Sequence, residues 1–307
     1  MNRPKFRNTA ASVQVRLLNL ARQRGEDFQL LLARFAVERL LYRLSQSPHA
    51  DNFVLKGATL FTLWGGRPYR PTRDLDLLGT GTMDVPHLEQ VFRDVCVADV
   101  EQDGIQFLED TVRGAEIREN QAYGGVRIVL EARLGQAHIQ IQADIGFGDA
   151  VVPPPKAVTF PTLLDFPNPQ LRAYPREAVV AEKFQAMIML GIANSRMRDF
   201  YDLWILSRRF DFSGSLLAES IRNTFARRRT TVPVVVPLAL TPEFFDNGAK
   251  LTQWRAFIRR GMLEEEEITL ARVAAHLEDF LMPPALAISN GEAFKMVWSP
   301  GGPWRQG

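Results

Sequence analysis

The 307-residue sequence predicts an α+β protein, with strands gathered in its first half and helices in its second. Three observations carry that reading. Residues 53–81 run strand, turn, short helix, loop, strand. Residues 125–145 form two alternating runs joined at Gly135-Gln136, as a β-hairpin does. From residue 176 onward, apolar side chains recur at helical spacing.

Taken in order, residues 10–24 place Val13, Leu17, Leu20 and Ala21 on one helical face, and Gly25 is a stop signal. Asp27 is placed to cap a helix over 28–45, whose Leu31, Leu32, Phe35, Leu40, Leu41 and Leu44 lie among Arg34, Arg39 and Arg43. A solvated or salt-bridged helix edge, with Glu38 as neighbour, is the preferred reading of these arginines. The sharper reading turns Arg39 and Arg43 toward a phosphate-bearing substrate. After the central stretch, residues 85–98 form an amphipathic helix on Leu88, Val91, Phe92 and Val95. Short strands are expected at 105–108 and 115–118, ahead of the hairpin. Residues 150–176 hold seven of the nineteen prolines, which predicts an extended connector. Helices follow over 176–191, within 194–212 after a polar turn on Phe200, Leu203, Trp204 and Leu206, and over 215–228, 247–260 and 268–281. The stretch beyond Pro283 reads as poorly ordered. The domain reading is 1–160 for N-terminal helices and sheet core, 161–175 for the connector, 176–285 for a helical domain and 286–307 for a tail.

The chemistry concentrates in 53–81, FVLKGATLFTLWGGRPYRPTRDLDLLGTG. Asp74 and Asp76 sit at alternate positions of a strand, so their carboxylates project side by side. Adjacent carboxylates repel unless a cation lies between them, and Mg²⁺ takes a few carboxylates together with substrate phosphates. Gly57, after Lys56, leaves room for phosphate oxygens to approach backbone amides. On the second hairpin strand Ile139, Ile141, Ala143 and Ile145 face one way, while His138, Gln140, Gln142 and Asp144 face the other. Asp144 alone would ordinarily face solvent; beside Asp74 and Asp76 it becomes a candidate third metal ligand. Three carboxylates and a small-residue loop are what nucleotidyl transfer requires. In the helical half, Lys183 lies in a largely apolar helix, where it either snorkels to water or neutralises phosphate charge. Asp199 and Asp202 share a helix face near Arg196 and Arg198. Arg227–Arg229 and Arg259-Arg260 are solvated helix ends in the common reading and RNA-backbone contacts in the other.

Bulk properties exclude several classes. A net charge of +2 gives no global pull toward nucleic acid. One cysteine, Cys96, and four histidines offer neither a disulfide framework nor a zinc constellation. With no apolar signal core at the start and no long apolar run, the expected location is cytoplasmic.

Four blocks in this order, RPTRDLDL, ADIGFGD, AEKFQA and RMRDFYDLW, resemble the AbiEii/AbiGii toxin family of nucleotidyltransferases. The resemblance spans about residues 8–210 and extends loosely to 282. It implies a polymerase-β-like nucleotidyltransferase mixed sheet with flanking helices and a helical C-terminal half. Matched position by position, it makes Asp74 and Asp76 the metal-binding carboxylates, and Asp144, less closely matched, the third. It places Lys56, Gly57, Thr72 and Arg73 at the nucleotide. Lys183 points toward the triphosphate, and Asp199, with Asp202 as second choice, acts as base or lysine orienter. Lys-Gly-Ala stands where Gly-Gly or Gly-Ser is often seen, and Thr72 where serine is frequent; both changes keep the small size or the hydroxyl. The resemblance further implies one or two Mg²⁺ ions, an NTP substrate, transfer of NMP to an RNA such as the tRNA 3′ end, inhibition of translation, and an antitoxin partner in a toxin–antitoxin or phage-defence pair. Two alternatives keep the same residues: NMP transfer to a protein side chain, and nucleotide sensing without turnover.

Overall fold

A computed structural model describes residues 9–66, 68–70, 72, 74–82, 84–117, 124–149, 151–261 and 268–307. Met1–Gly148 with Lys156–Ala173 form one compact unit, and Asp149–Pro155 with Tyr174–Gly307 form a second.

The first unit opens with α1 (Thr9–Arg24) and α2 (Phe28–Gln46). Asp27 caps α2 by accepting from the Leu30 amide at 2.9 Å, as its position ahead of an apolar-periodic run predicts. Strand β1 (Phe53–Lys56), a 3₁₀ turn, helix α3 (Leu60–Gly65) and strand β2 (Asp74–Gly79) follow. Asp84 caps α4 (Val85–Cys96), and the expected stripe Leu88, Val91, Phe92 and Val95 is buried. The two strands expected at 105–108 and 115–118 are one strand, β3 (Ile105–Ile117), with a register shift between Leu108 and Arg113. A bulge of that kind breaks the alternation that a single strand would show; residue 118 lies outside the described residues. Strands β4 (Gly125–Leu134) and β5 (Ala137–Phe147) form the hairpin, with Gly135 at φ +59° in its turn.

The connector departs from expectation. Its ends become β6 (Lys156–Thr159) and β7 (Gln170–Ala173), and β7 pairs parallel with β1. Prolines keep off these short strands and bracket them, which is where proline is tolerated. The sheet order is therefore β3-β4-β5-β2-β1-β7-β6, a mixed seven-stranded sheet. Helix α2 packs on β5 and β7, and α4 on β3 and β4. The row Leu75–Ala143–Ile128, in register across β2, β5 and β4, is wholly buried and forms part of the core.

The second unit holds α5 (Arg176–Leu190), α6 (Met197–Arg209), strand β8 (Phe212–Ser213), α7 (Gly214–Arg227), the one-turn α8 (Pro242–Phe245), α9 (Gly248–Gly261) and α10 (Leu270–Ser289). Pro283 and Pro284 lie inside α10, which does not stop there. The expected poorly ordered tail instead forms β9 (Met296–Trp298) and β10 (Trp304–Gln306), sheeted with β8. The physical reason is aromatic: Trp298 and Trp304 are buried against Phe280, and their indole N–H groups donate to the carbonyls of Ser207 and Phe280. Among the described residues no helix is long and apolar enough to cross a membrane.

Candidate active site

In β2, Leu75 and Leu77 are buried while Asp74 and Asp76 stand half-buried on the opposite side, as alternation requires. Register extends the polar side across four strands. Lys56 of β1 lies opposite Asp76, Asp76 opposite Asp144 of β5, and Asp144 opposite Arg127 of β4. Directly paired residues share a face, so this row reads cation, carboxylate, carboxylate, cation.

Gly57 belongs to the same construction. It has φ +74°, and a Cβ there would lie 1.9 Å from Oδ2 of Asp76. The Asp76 carboxylate thus rests against the Gly57 backbone, in space that no other residue would leave open. Thr72 and Asp74 line a cleft whose walls are Val37, Phe160, Pro161 and Leu163, with Arg34 and Glu38 also lining it. Glu38 is buried, and burial pushes its carboxyl up to about 7 although the Leu163 amide donates to it at 2.7 Å. A second groove, of about 390 Å³, includes Asp74 and follows the polar side of β5 past Gln142, Gln140 and His138.

The donor set at Asp74 and Asp76 suits a hard divalent cation completed by substrate phosphates and water. Asp144 lies in register with them, but both its oxygens are taken by Arg127, Nε to Oδ1 at 2.8 Å and Nη2 to Oδ2 at 2.8 Å. Among the described residues no three His, Cys, Asp or Glu side chains converge on one point as an all-protein metal cage would. The arrangement therefore fits an ion held by two carboxylates and finished by substrate. Arg73 lies outside the described residues.

In the second unit, Lys183 of α5 sits between two carboxylates of α6, its Nζ 2.6 Å from Asp199 and 2.9 Å from Asp202. Lys183, sixteen residues ahead of Asp199 in the chain, is thus gripped by both carboxylates of the α6 start. Nearby sequence neighbours form a second charged group. Arg228 donates to Asp149 at 2.9 Å and lies 3.4 Å from Glu182. Burial pulls its guanidinium down, but Glu182 and Asp149 outweigh that and hold it above its ordinary value. Burial next to the same carboxylates raises the Tyr174 phenol. Arg228 is accordingly a structural residue, and the RNA-contact reading of 227–229 loses its middle member.

Arg39 and Arg43 also have a different place from the phosphate-facing one. They are 0% and 6% exposed. Asp103 accepts from Arg39 Nε at 2.9 Å and from Arg43 Nη1 at 2.7 Å and Nη2 at 3.0 Å. They are salt-bridged, as one half of the preferred reading had it with Glu38 3.7 Å from Arg39, but buried and not solvated: they form an ion cluster whose carboxylate arrives from a loop about sixty residues later. Sequence reading overlooked Arg127, although a signal was present. Counting outward from the two-residue turn at Gly135-Gln136 puts Arg127 opposite Asp144.

Comparison with known proteins bears on this site. The crystal structure of JHP933 from Helicobacter pylori resembles the chain with a TM-score of 0.50 at 16% identity, over 86% of this chain and 94% of that one. A second H. pylori structure, described as a candidate nucleotidyltransferase, has a TM-score of 0.48 at 16% identity, over 86% and 96%. At 16% identity the first likeness speaks to the fold alone. No curated protein matches the chain at a significant level. The family model described as nucleotidyl transferase AbiEii toxin, type IV TA system, matches residues 39–282. Those residues contain Lys56, Gly57, Asp74, Asp76, Asp144, Lys183 and Asp199, and the chain belongs to the AbiEii family of nucleotidyltransferase toxins.

Proposed function

We propose that the protein transfers NMP from an NTP to an RNA hydroxyl, with the tRNA 3′ end as first choice, and that Mg²⁺ supports the reaction. The observation that carries this is the pair Asp74 and Asp76 on one side of β2, with Gly57 at φ +74° pressed against Asp76. Asp74 and Asp76 would hold the ion, which when bound neutralises phosphate charge and activates the attacking hydroxyl. The Gly57 turn and the Thr72 hydroxyl would orient the triphosphate, with Lys56 adding positive charge from the neighbouring strand. The acceptor oxygen forms a bond to the α-phosphorus, the bond to pyrophosphate breaks, and the hydroxyl proton passes to a carboxylate, Asp144 or Asp199. The groove along Gln142, Gln140 and His138 offers the acceptor a polar track ending at Asp74. The motif resemblance supports Lys183 as a cation toward the triphosphate. Arg73 joins the nucleotide contacts on the same ground. The family's place in type IV toxin–antitoxin systems supports an antitoxin partner, and a blocked tRNA 3′ end would arrest translation.

The test uses each α-labelled NTP with Mg²⁺ and either total tRNA or cell protein, beside Asp76→Ala and Lys183→Ala. Label on tRNA that vanishes in Asp76→Ala is the expected result. Label on protein alone replaces the acceptor with a side chain, and NTP binding without label in either pool refutes transfer.

A further inference from the structure

The charged row across the sheet pairs two cations with two carboxylates, and Arg127 supplies the cation at its β4 end. Its guanidinium takes both oxygens of Asp144 in a two-bond fork. Gln142 abuts the pair; with its carbonyl turned toward the guanidinium it accepts from Nε at 3.1 Å and Nη2 at 3.2 Å. At the other end of the row, Lys56 Nζ reaches over β2, 3.1 Å from where a Cβ on Gly146 would lie. Yet the fork is not locked into the core, since the Arg127 side chain is 43% exposed and that of Asp144 24%. A two-bond fork is the stronger kind of ion pair, but at this exposure solvent screens it, and burial does not bar another anion from taking it over. The same fork geometry fits a phosphate as well as a carboxylate.

We propose that Arg127 is a positioning residue that occupies Asp144 in the substrate-free protein and transfers to a substrate phosphate, freeing Asp144 to join Asp76 at the divalent cation. This rests on the nucleotidyl-transfer reading above. It makes cation binding and phosphate binding mutually reinforcing, because a phosphate that captures Arg127 removes its competition for Asp144. The phosphate belongs either to the nucleotide or to the RNA backbone.

Mn²⁺ binding, read by electron paramagnetic resonance on the full-length protein, tests it. Wild type, Arg127→Gln, Arg127→Lys, Asp144→Asn and Asp76→Ala are compared alone, with an α,β-methylene NTP, and with a short RNA. Without substrate, Arg127→Gln is expected to bind Mn²⁺ about tenfold more tightly than wild type. Arg127→Lys should fall between them, since lysine keeps the charge and loses the fork. Combining Asp144→Asn with Arg127→Gln should erase the gain. In wild type the analogue or the RNA, whichever supplies the phosphate, tightens Mn²⁺ binding, and Arg127→Gln loses most of that response. Equal or weaker Mn²⁺ binding by Arg127→Gln overturns the proposal, as does an undiminished substrate response in that variant or no response in wild type. Asp76→Ala distinguishes the two levels: if it binds Mn²⁺ like wild type in every arm, the transfer reading itself fails. Matching melting temperatures for wild type and Arg127→Gln confirm that the exposed pair is not being read through unfolding.

Discussion

Gly57→Ala isolates the contact on which the site is built. At φ +74° any side chain is strained, which costs about 1–2 kcal/mol. Beyond strain, the new methyl would start 1.9 Å from Oδ2 of Asp76, whereas ordinary contact begins at 3.4 Å. Restoring contact distance requires a displacement of about 1.5 Å, and a misplacement of about 1 Å at a reacting centre can lower the rate about a hundredfold. Gly25→Ala is the matched control, since Gly25 has φ +64° with nothing within 4 Å of its Cβ position. Backbone strain alone should lower the melting temperature of Gly25→Ala by about 2–8 °C, from roughly 2–4 °C per kcal/mol in a chain of this size, and Gly57→Ala should lose at least as much because its methyl also meets Asp76. Label transfer from α-labelled NTP should fall at least about a hundredfold in Gly57→Ala and stay near wild type in Gly25→Ala. Equal transfer by the two variants would refute the claim that Asp76 must lie against the Gly57 backbone.

Three further outcomes follow from buried charge. Asp103→Asn removes the counter-ion of Arg39 and Arg43, and urea unfolding should show a loss of about 3–5 kcal/mol. Glu38 has a carboxyl raised by burial to about 7, from an ordinary 4.5, so its folded form binds a proton more tightly than its unfolded form. Its contribution is present below pH 4.5 and is lost as pH rises through 7, by at most about 3 kcal/mol, and Glu38→Gln should flatten that slope in unfolding curves. His276 has the opposite sign: burial against Trp204 and Trp298 lowers it to about 4, so stability present above pH 6.5 is lost as pH falls through 4. Partial exposure limits the loss to about 1–2 kcal/mol, and tryptophan fluorescence during urea unfolding at pH 7 and pH 5 measures it.

Local pattern sufficed wherever the physics is local. Apolar spacing located α2 and α4, Asp27 was legible as the cap of α2, and the two-residue turn set the register of β4 with β5. Alternation alone placed Asp74 and Asp76 on one side of a strand and Asp144 on the polar side of another. The tertiary structure decided what depends on partners far along the chain. Arg39 and Arg43 resemble any helix-edge arginines until Asp103 arrives to bury them. The connector became strand because β1 offers β7 an edge, and the C-terminal segment became sheet because Phe280 and Ser207 receive its tryptophans. Periodicity is a property of neighbours three or four residues apart, whereas burial of a charge or pairing of an edge is settled by whichever distant segment can satisfy it. The hold of Arg127 on Asp144 lies between these cases: its register was countable from the turn, but its two-bond grip required the folded sheet.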